Sequence, residues 1–119
     1  MSEVAENTRK IQNQLPENVT LVAVSKLKPA ALLKEVYDSG HKIFGENYVQ
    51  EMVEKAEILP KDIEWNFIGH LQSNKVKYIA PIVSLIHSVD SFKLLKEINK
   101  QALKNQRVIP CLLQIHIAQ

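Results

Sequence analysis

Leu21-Val22-Ala23-Val24-Ser25-Lys26 is the most informative run in the chain: five mostly apolar residues lead straight into a lysine, and Pro29 follows. Side chains alternate along a strand, so Val22, Val24 and Lys26 share one face and Leu21, Ala23 and Ser25 the other. Both faces stay apolar until the end, which is the pattern of a strand buried in a parallel sheet. Proteins with such sheets place their chemistry at the carboxyl ends of the strands, so a flexible amine there is a candidate functional group. Taken alone, the run reads first as a solvated lysine at a loop start, because exposed lysine is the rule. The rest of the chain shifts that reading.

Upstream, Val4, Ile11 and Leu15 fall at helical spacing, with Ser2 as a cap and Pro16 as a stop, which predicts a helix over Ser2–Leu15. The first strand is expected over Thr20–Ser25. Pro29 suits the first turn of a second helix, buried through Leu32, Leu33, Val36 and Tyr37 and stopped at Gly40. Lys42–Gly45 reads as a second strand running into Glu46-Asn47. Asn47 is placed to cap a third helix, with Gln50 as its reciprocal partner and Val49, Met52, Val53, Ala56 and Leu59 as the apolar stripe before Pro60. Glu64–Ile68 is the third strand and ends at Gly69-His70. Ser73 or Asn74 caps a short helix carrying Val76, Ile79 and Ala80, closed by Pro81. Ile82–Ile86 is the fourth strand and ends at His87-Ser88. Asp90 or Ser91 caps the helix Phe92–Leu103, with Leu94, Leu95, Ile98, Ala102 and Leu103 inward, and Val108–Ile117 is a fifth strand.

Strictly alternating strands and helices imply a parallel α/β sheet. An open doubly wound sheet and part of a TIM-type (β/α) barrel both fit. A whole barrel needs about 200–250 residues, and the 119 residues stop straight after a strand. The expectation is therefore a barrel truncated to about five strands plus an N-terminal helix, with residues 1–119 as the N-terminal part of a single domain.

The hydrophobic fraction of 45% and charged fraction of 24% describe a globular protein, and a net charge of +2 argues for neither nucleic acid nor a membrane surface. The single cysteine, Cys111, excludes a disulfide within the chain and reads as a buried thiol in a reducing compartment. The polar Met1–Lys10 segment has no apolar stretch of the kind a secretory signal needs, so none is expected there, and no apolar run reaches the ~18–20 residues of a membrane span. The expected location is cytoplasmic.

Each strand finishes in a polar residue: Lys26, Asn47, His70, Ser88 and His116. In a barrel these ends converge on one mouth, where they can surround a ligand. Each also has a plainer role: Asn47 as a helix cap, His70 as a structural hydrogen-bonding residue, Ser88 as a loop start, His116 as a polar filler alternating with Gln114. Other constellations carry less. Ser25 and Lys26 point to opposite faces and do not make a hydrolase pair. The four histidines lack metal-ligand spacing, and Lys93, Lys96, Lys100 and Lys104 read as a solvated helix face.

Val22-Ala23-Val24-Ser25-Lys26, Phe44-Gly45-Glu46-Asn47-Tyr48-Val49-Gln50, Trp65-Asn66-Phe67-Ile68-Gly69-His70-Leu71-Gln72-Ser73-Asn74-Lys75 and His87-Ser88-Val89-Asp90 occur in this order. Together they resemble the pyridoxal phosphate homeostasis proteins, which are alanine-racemase-like barrels that bind pyridoxal 5'-phosphate (PLP). The match runs from about Leu21 to the C-terminus. The resemblance implies a single-domain fold-type-III barrel, a cytosolic carrier of PLP without established catalysis, and Lys26 as the Schiff-base lysine. Asn47, His70 and Ser88 would lie near the cofactor. A lysine there must be partly desolvated to act as a neutral nucleophile. Set against the resemblance, the 119 residues do not include the C-terminal strands and phosphate-binding loops expected of the family, and His116 stands where an Asn is expected in most relatives. The alternatives are a minimal PLP-dependent racemase using Lys26 as base, or a ligand-free folding module. Five strands cannot close a barrel, so the chain is expected to self-associate or to pair with a missing half.

Overall fold

The computed structural model describes residues 3–115. Helix α1 (Glu3–Gln14) leads into β1 (Ala23–Val24), α2 (Ala30–Asp38), β2 (Ile43–Glu46), α3 (Val49–Ile58) and β3 (Glu64–Phe67). A 3₁₀ turn (Ser73–Lys75) runs into α4 (Val76–Ile79), followed by β4 (Val83–Val89), α5 (Phe92–Lys104) and β5 (Cys111–Leu113). The five strands are all parallel, in the order β1-β2-β3-β4-β5. Crossovers between parallel strands are right-handed, so a sheet that always steps in one direction carries all its crossover helices on one side. That is how the strands of a (β/α) barrel are laid down, and the expected fold class is what the chain adopts.

The core lies between the sheet and this helix layer. Phe44, Trp65, Phe67, Val83 and Ile86 point from the strands into it and meet Leu33, Val36, Met52, Val76, Ile79, Leu94 and Ile98 from the helices. Arg107 ties the corner before β4, donating to the carbonyls of Ala80 and Val83 (2.5 and 2.7 Å). No helix among the described residues is long and apolar enough to cross a membrane.

Several local expectations are corrected. β1 spans only Ala23–Val24, because as an edge strand it has one neighbour to pair with; Ser25 still donates its N–H to the Gly45 carbonyl (2.9 Å). Asn47 does not cap α3: the cap position is Tyr48, without a side-chain bond, and Gln50 bonds Glu54 instead. Neither Ser73 nor Asn74 caps α4, since the 3₁₀ turn absorbs both. Ser91 rather than Asp90 caps α5, its Oγ accepting from the Leu94 N–H (3.1 Å). Leu103 is 71% exposed because it falls out of phase with Leu94, Ile98 and Ala102; Gln101 takes the inward position. In α1, Val4 and Ile11 stay largely exposed and Ala5 is the buried residue. β4 runs on to Val89, so Ser88 lies inside it, and among the described residues the fifth strand spans Cys111–Leu113, with Pro110 and Gln114 also bonded to β4 through the Ile86 N–H and the Val89 carbonyl. Ser2 and His116 lie outside the described residues.

Candidate functional site

The register sets out the site. Val24, Gly45, Asn66 and Leu85 are paired across four strands in one row. Two residues further along each strand come Lys26, Asn47, Ile68 and His87, level with one another at the carboxyl edge, with strands about 4.8 Å apart. By alternation the first row faces away from the helices. The glycine at position 45 marks how tightly this face is layered: a Cβ there would lie 3.0 Å from both Val22 Cγ1 and Ile68 Cδ1.

Lys26 sits just beyond β1 in a turn closed by the Lys28 N–H on the Ser25 carbonyl (3.2 Å). Its side chain is exposed and has no hydrogen bond or ion pair among the described residues. Asn47 is half-buried, and its Oδ1 is buried without a partner among the described residues. Its backbone lies under Gly69, where a Cβ would come within 2.5 Å of the Asn47 carbonyl oxygen, so the close approach requires glycine. That packing brings His70 beside Asn47: the two share a cleft of about 520 Å³ with Gln72, Lys75 and Tyr78. Lys26 and Ser88 are not among its walls. Ser88 has φ 56°, at the irregularity where the β4–β5 register shifts between Ile86 and Val89. Lys26 and Asn47 therefore share an edge, Asn47 and His70 share a cleft, and Ser88 serves a bulge.

Two groups of residues escaped the sequence reading. The first is Asn66, 4% exposed although it faces away from the helices, with His87 Nε2 at 2.9 Å from its Oδ1. An amide oxygen accepts, so the imidazole donates through Nε2–H, and burial holds the His87 pKa below its usual value. The signal was an asparagine between Trp65 and Phe67, in the middle of an otherwise buried strand.

The second is a buried charged cluster on the helix side, behind Lys26. Lys55 of α3 donates to Glu46 Oε2 (2.8 Å), to Glu51 Oε2 (2.9 Å) and to the Ser25 carbonyl (2.7 Å). Ser25 Oγ donates to Glu46, and the Leu27 N–H to Glu51 Oε2 (2.6 Å). Burial raises the Glu46 pKa, against the bonds from Lys55 and Ser25. Burial also pushes Glu51 up, but its bonds to Lys55 and the Leu27 N–H outweigh it and leave its pKa lowered. The Glu51–Lys55 spacing was visible as a helical pair, though its depth was not.

The one-directional parallel sheet, its one-sided helix layer and a lysine past the first strand define a barrel-type α/β domain. Residues 1–118 match the family of the alanine racemase N-terminal domain, and the chain belongs to that family. It is 46% identical over 98 residues to the pyridoxal phosphate homeostasis protein of Aquifex aeolicus, covering 82% of this chain and 43% of that protein. With the protein of the same name from Escherichia coli it shares 36% identity over 132 residues, covering 99% and 56%. It resembles the structure of PipY from Synechococcus elongatus with PLP bound, at a TM-score of 0.89 and 39% identity, over 98% of this chain and 56% of that one. The chain spans about half the length of these relatives.

Proposed function

We propose that the chain binds PLP through a Schiff base on Lys26 and serves intracellular PLP homeostasis as a carrier. The observation that carries this reading is the exposed amine of Lys26, without a partner among the described residues, at the carboxyl edge of a sheet that resembles PLP-bound PipY. The residues present fit the group. An exposed amine suits an aldehyde, and Asn47 Oδ1, unpartnered among the described residues, offers an acceptor to a hydroxyl donor. His70 and Ser88 would border the ligand further along the same edge. When bound, PLP supplies an electrophilic aldehyde; the chain's own residues anchor it and hold the lysine in place. Borohydride reduction of a PLP-treated sample, followed by peptide mapping, is expected to label Lys26 above every other lysine, and an even spread over surface lysines would refute the reading. Formation of D-alanine from L-alanine by the loaded chain would replace it with a racemase.

The sheet also carries a proposal about association. Closing a barrel takes eight strands, and β1 and β5 are edges of the described five-stranded sheet. Val24, Leu112 and Leu113 are exposed beside those edges. The chain is expected to pair through them with a second copy or a complementing half barrel. Sedimentation would detect this, and a monodisperse, cooperatively melting monomer would contradict it.

A further inference from the structure

We infer that Glu51 and Lys55, seated on α3, are positioning residues that clamp the main chain on both sides of Lys26. Lys55 holds the carbonyl of Ser25, the residue before Lys26, and Glu51 holds the N–H of Leu27, the residue after it. Glu46 takes the Ser25 hydroxyl, so the residue preceding Lys26 is fixed through both backbone and side chain. The Lys26 side chain is exposed and makes no hydrogen bond or ion pair among the described residues, so the clamp grips the main chain of the turn and leaves the amine accessible.

Two features argue that the cluster does more than fill space. Leu27 has φ 60°, a left-handed conformation that costs a leucine roughly 1–2 kcal/mol. Leu27 is itself largely exposed, so its side chain has little packing with which to offset that cost. The Lys28 N–H on the Ser25 carbonyl closes the turn, and the bond from the Leu27 N–H to Glu51 ties it to α3 in that shape. The second feature is cost by burial. Glu46 and Lys55 have side chains only 0% and 7% exposed. Buried ion pairs gain little over apolar residues of the same size, and their best-attested use is to specify one geometry over others. Here the geometry specified is the path of the chain through Ser25, Lys26 and Leu27.

This inference rests on Lys26 as the attachment point, and the experiment separates the two. The full chain and its variants are treated with PLP, reduced with borohydride and mapped for the share of label at Lys26, with thermal melts alongside. Glu51→Ala removes the acceptor for the Leu27 N–H and is expected to lower the rate of Lys26 labelling about tenfold, as misplacement of a reacting group does. Glu51→Gln keeps an acceptor oxygen and is expected to label near the wild-type rate. Arg107→Met loosens the distant α4–β4 corner; it is expected to lower the melting temperature without changing the Lys26 share. The clamp is refuted if Glu51→Ala labels at the wild-type rate, or if Arg107→Met slows labelling as much as Glu51→Ala does. If the unmutated chain shows no preference for Lys26, the binding reading falls first and takes the clamp with it. Lys55→Met is the harsher variant because it leaves Glu46 buried without its cation; if it fails to fold, the two Glu51 variants carry the test.

Discussion

The two faces of the sheet are built to different rules. Toward the helices, Phe44, Trp65, Phe67, Val83 and Ile86 are buried in a continuous apolar core. On the opposite face, Val24 is 58% exposed, Gly45 carries no side chain, and Asn66 and His87 bring polar groups, with Lys26 in the turn just past its edge. The helix side holds the fold, and the other side holds the groups with chemistry to offer. The buried ion cluster breaks this division, since it lies on the helix side yet reaches the turn that carries Lys26.

The sharpest contrast comes from one substitution on each face. Lys26→Ala is expected to abolish the specific visible imine absorption with PLP while changing stability by no more than about 0.5 kcal/mol, as for exposed residues outside special features. Phe67→Ala, in the covered face, is expected to cost about 3–5 kcal/mol in denaturant unfolding. Val24→Ala, measured the same way, should fall within about 0.5 kcal/mol. If Val24→Ala cost as much as Phe67→Ala, the open face would be packed in solution, and association would be the first explanation to test.

Glycine substitutions test the layering within the open face. Gly69→Ala forces a Cβ to 2.5 Å from the Asn47 carbonyl oxygen, a backbone atom that cannot step aside. Gly45→Ala meets only the side-chain tips of Val22 and Ile68 at 3.0 Å. Overpacking of this kind costs about 1–3 kcal/mol, and Gly69→Ala is expected at or above the top of that range, with Gly45→Ala near the bottom. Equal melting temperatures for the two would show that the Asn47–Gly69 contact is not held in solution.

The smallest expected effect is in pH. His41 is buried with Nε2 against the Ile43 carbonyl (2.7 Å), and burial lowers its pKa, partly countered by that bond. The His87 pKa is lowered by burial as well. The unfolded chain takes up these protons first, at about pH 6.5. Stability is therefore complete above that value and falls as the pH drops from it toward the lowered folded values. Melts between about pH 5 and 7 should show a decline that His41→Asn makes shallower. Glu51, with its lowered pKa, loses its contribution only below the carboxylate range of about 4.3.

Much of the scaffold could be read directly. The apolar stripe Met52, Ala56 and Leu59 placed α3, and the spacing of Leu94, Ile98 and Ala102 placed α5 with its Ser91 cap. Strand–helix alternation gave the parallel sheet, while the period-two reading that put Lys26 on the face of Val22 and Val24 stops short of it, because β1 ends at Val24 and Lys26 lies in the turn beyond. The site was legible only in part. Lys26 and Asn47 were found as strand-end residues, but the pairing of Asn66 with His87 joins residues 21 apart, and the Lys55–Ser25 bond joins residues 30 apart.

What the sequence determined by itself is what local periodicity encodes: element type, the buried face of each element, and the lysine at the end of the first strand. Hydrophobic spacing is a property of neighbouring residues and survives without any partner. Only the tertiary structure decided that Lys55 is buried while Lys26 is exposed, that Leu103 turns outward, and that Asn47 lies under Gly69 instead of capping α3. Each of these depends on which surface arrives from another part of the chain. A lysine is ordinarily solvated, and it is buried at position 55 because Glu46, Glu51 and the Ser25 carbonyl converge there from a strand, a helix and a turn to replace its water.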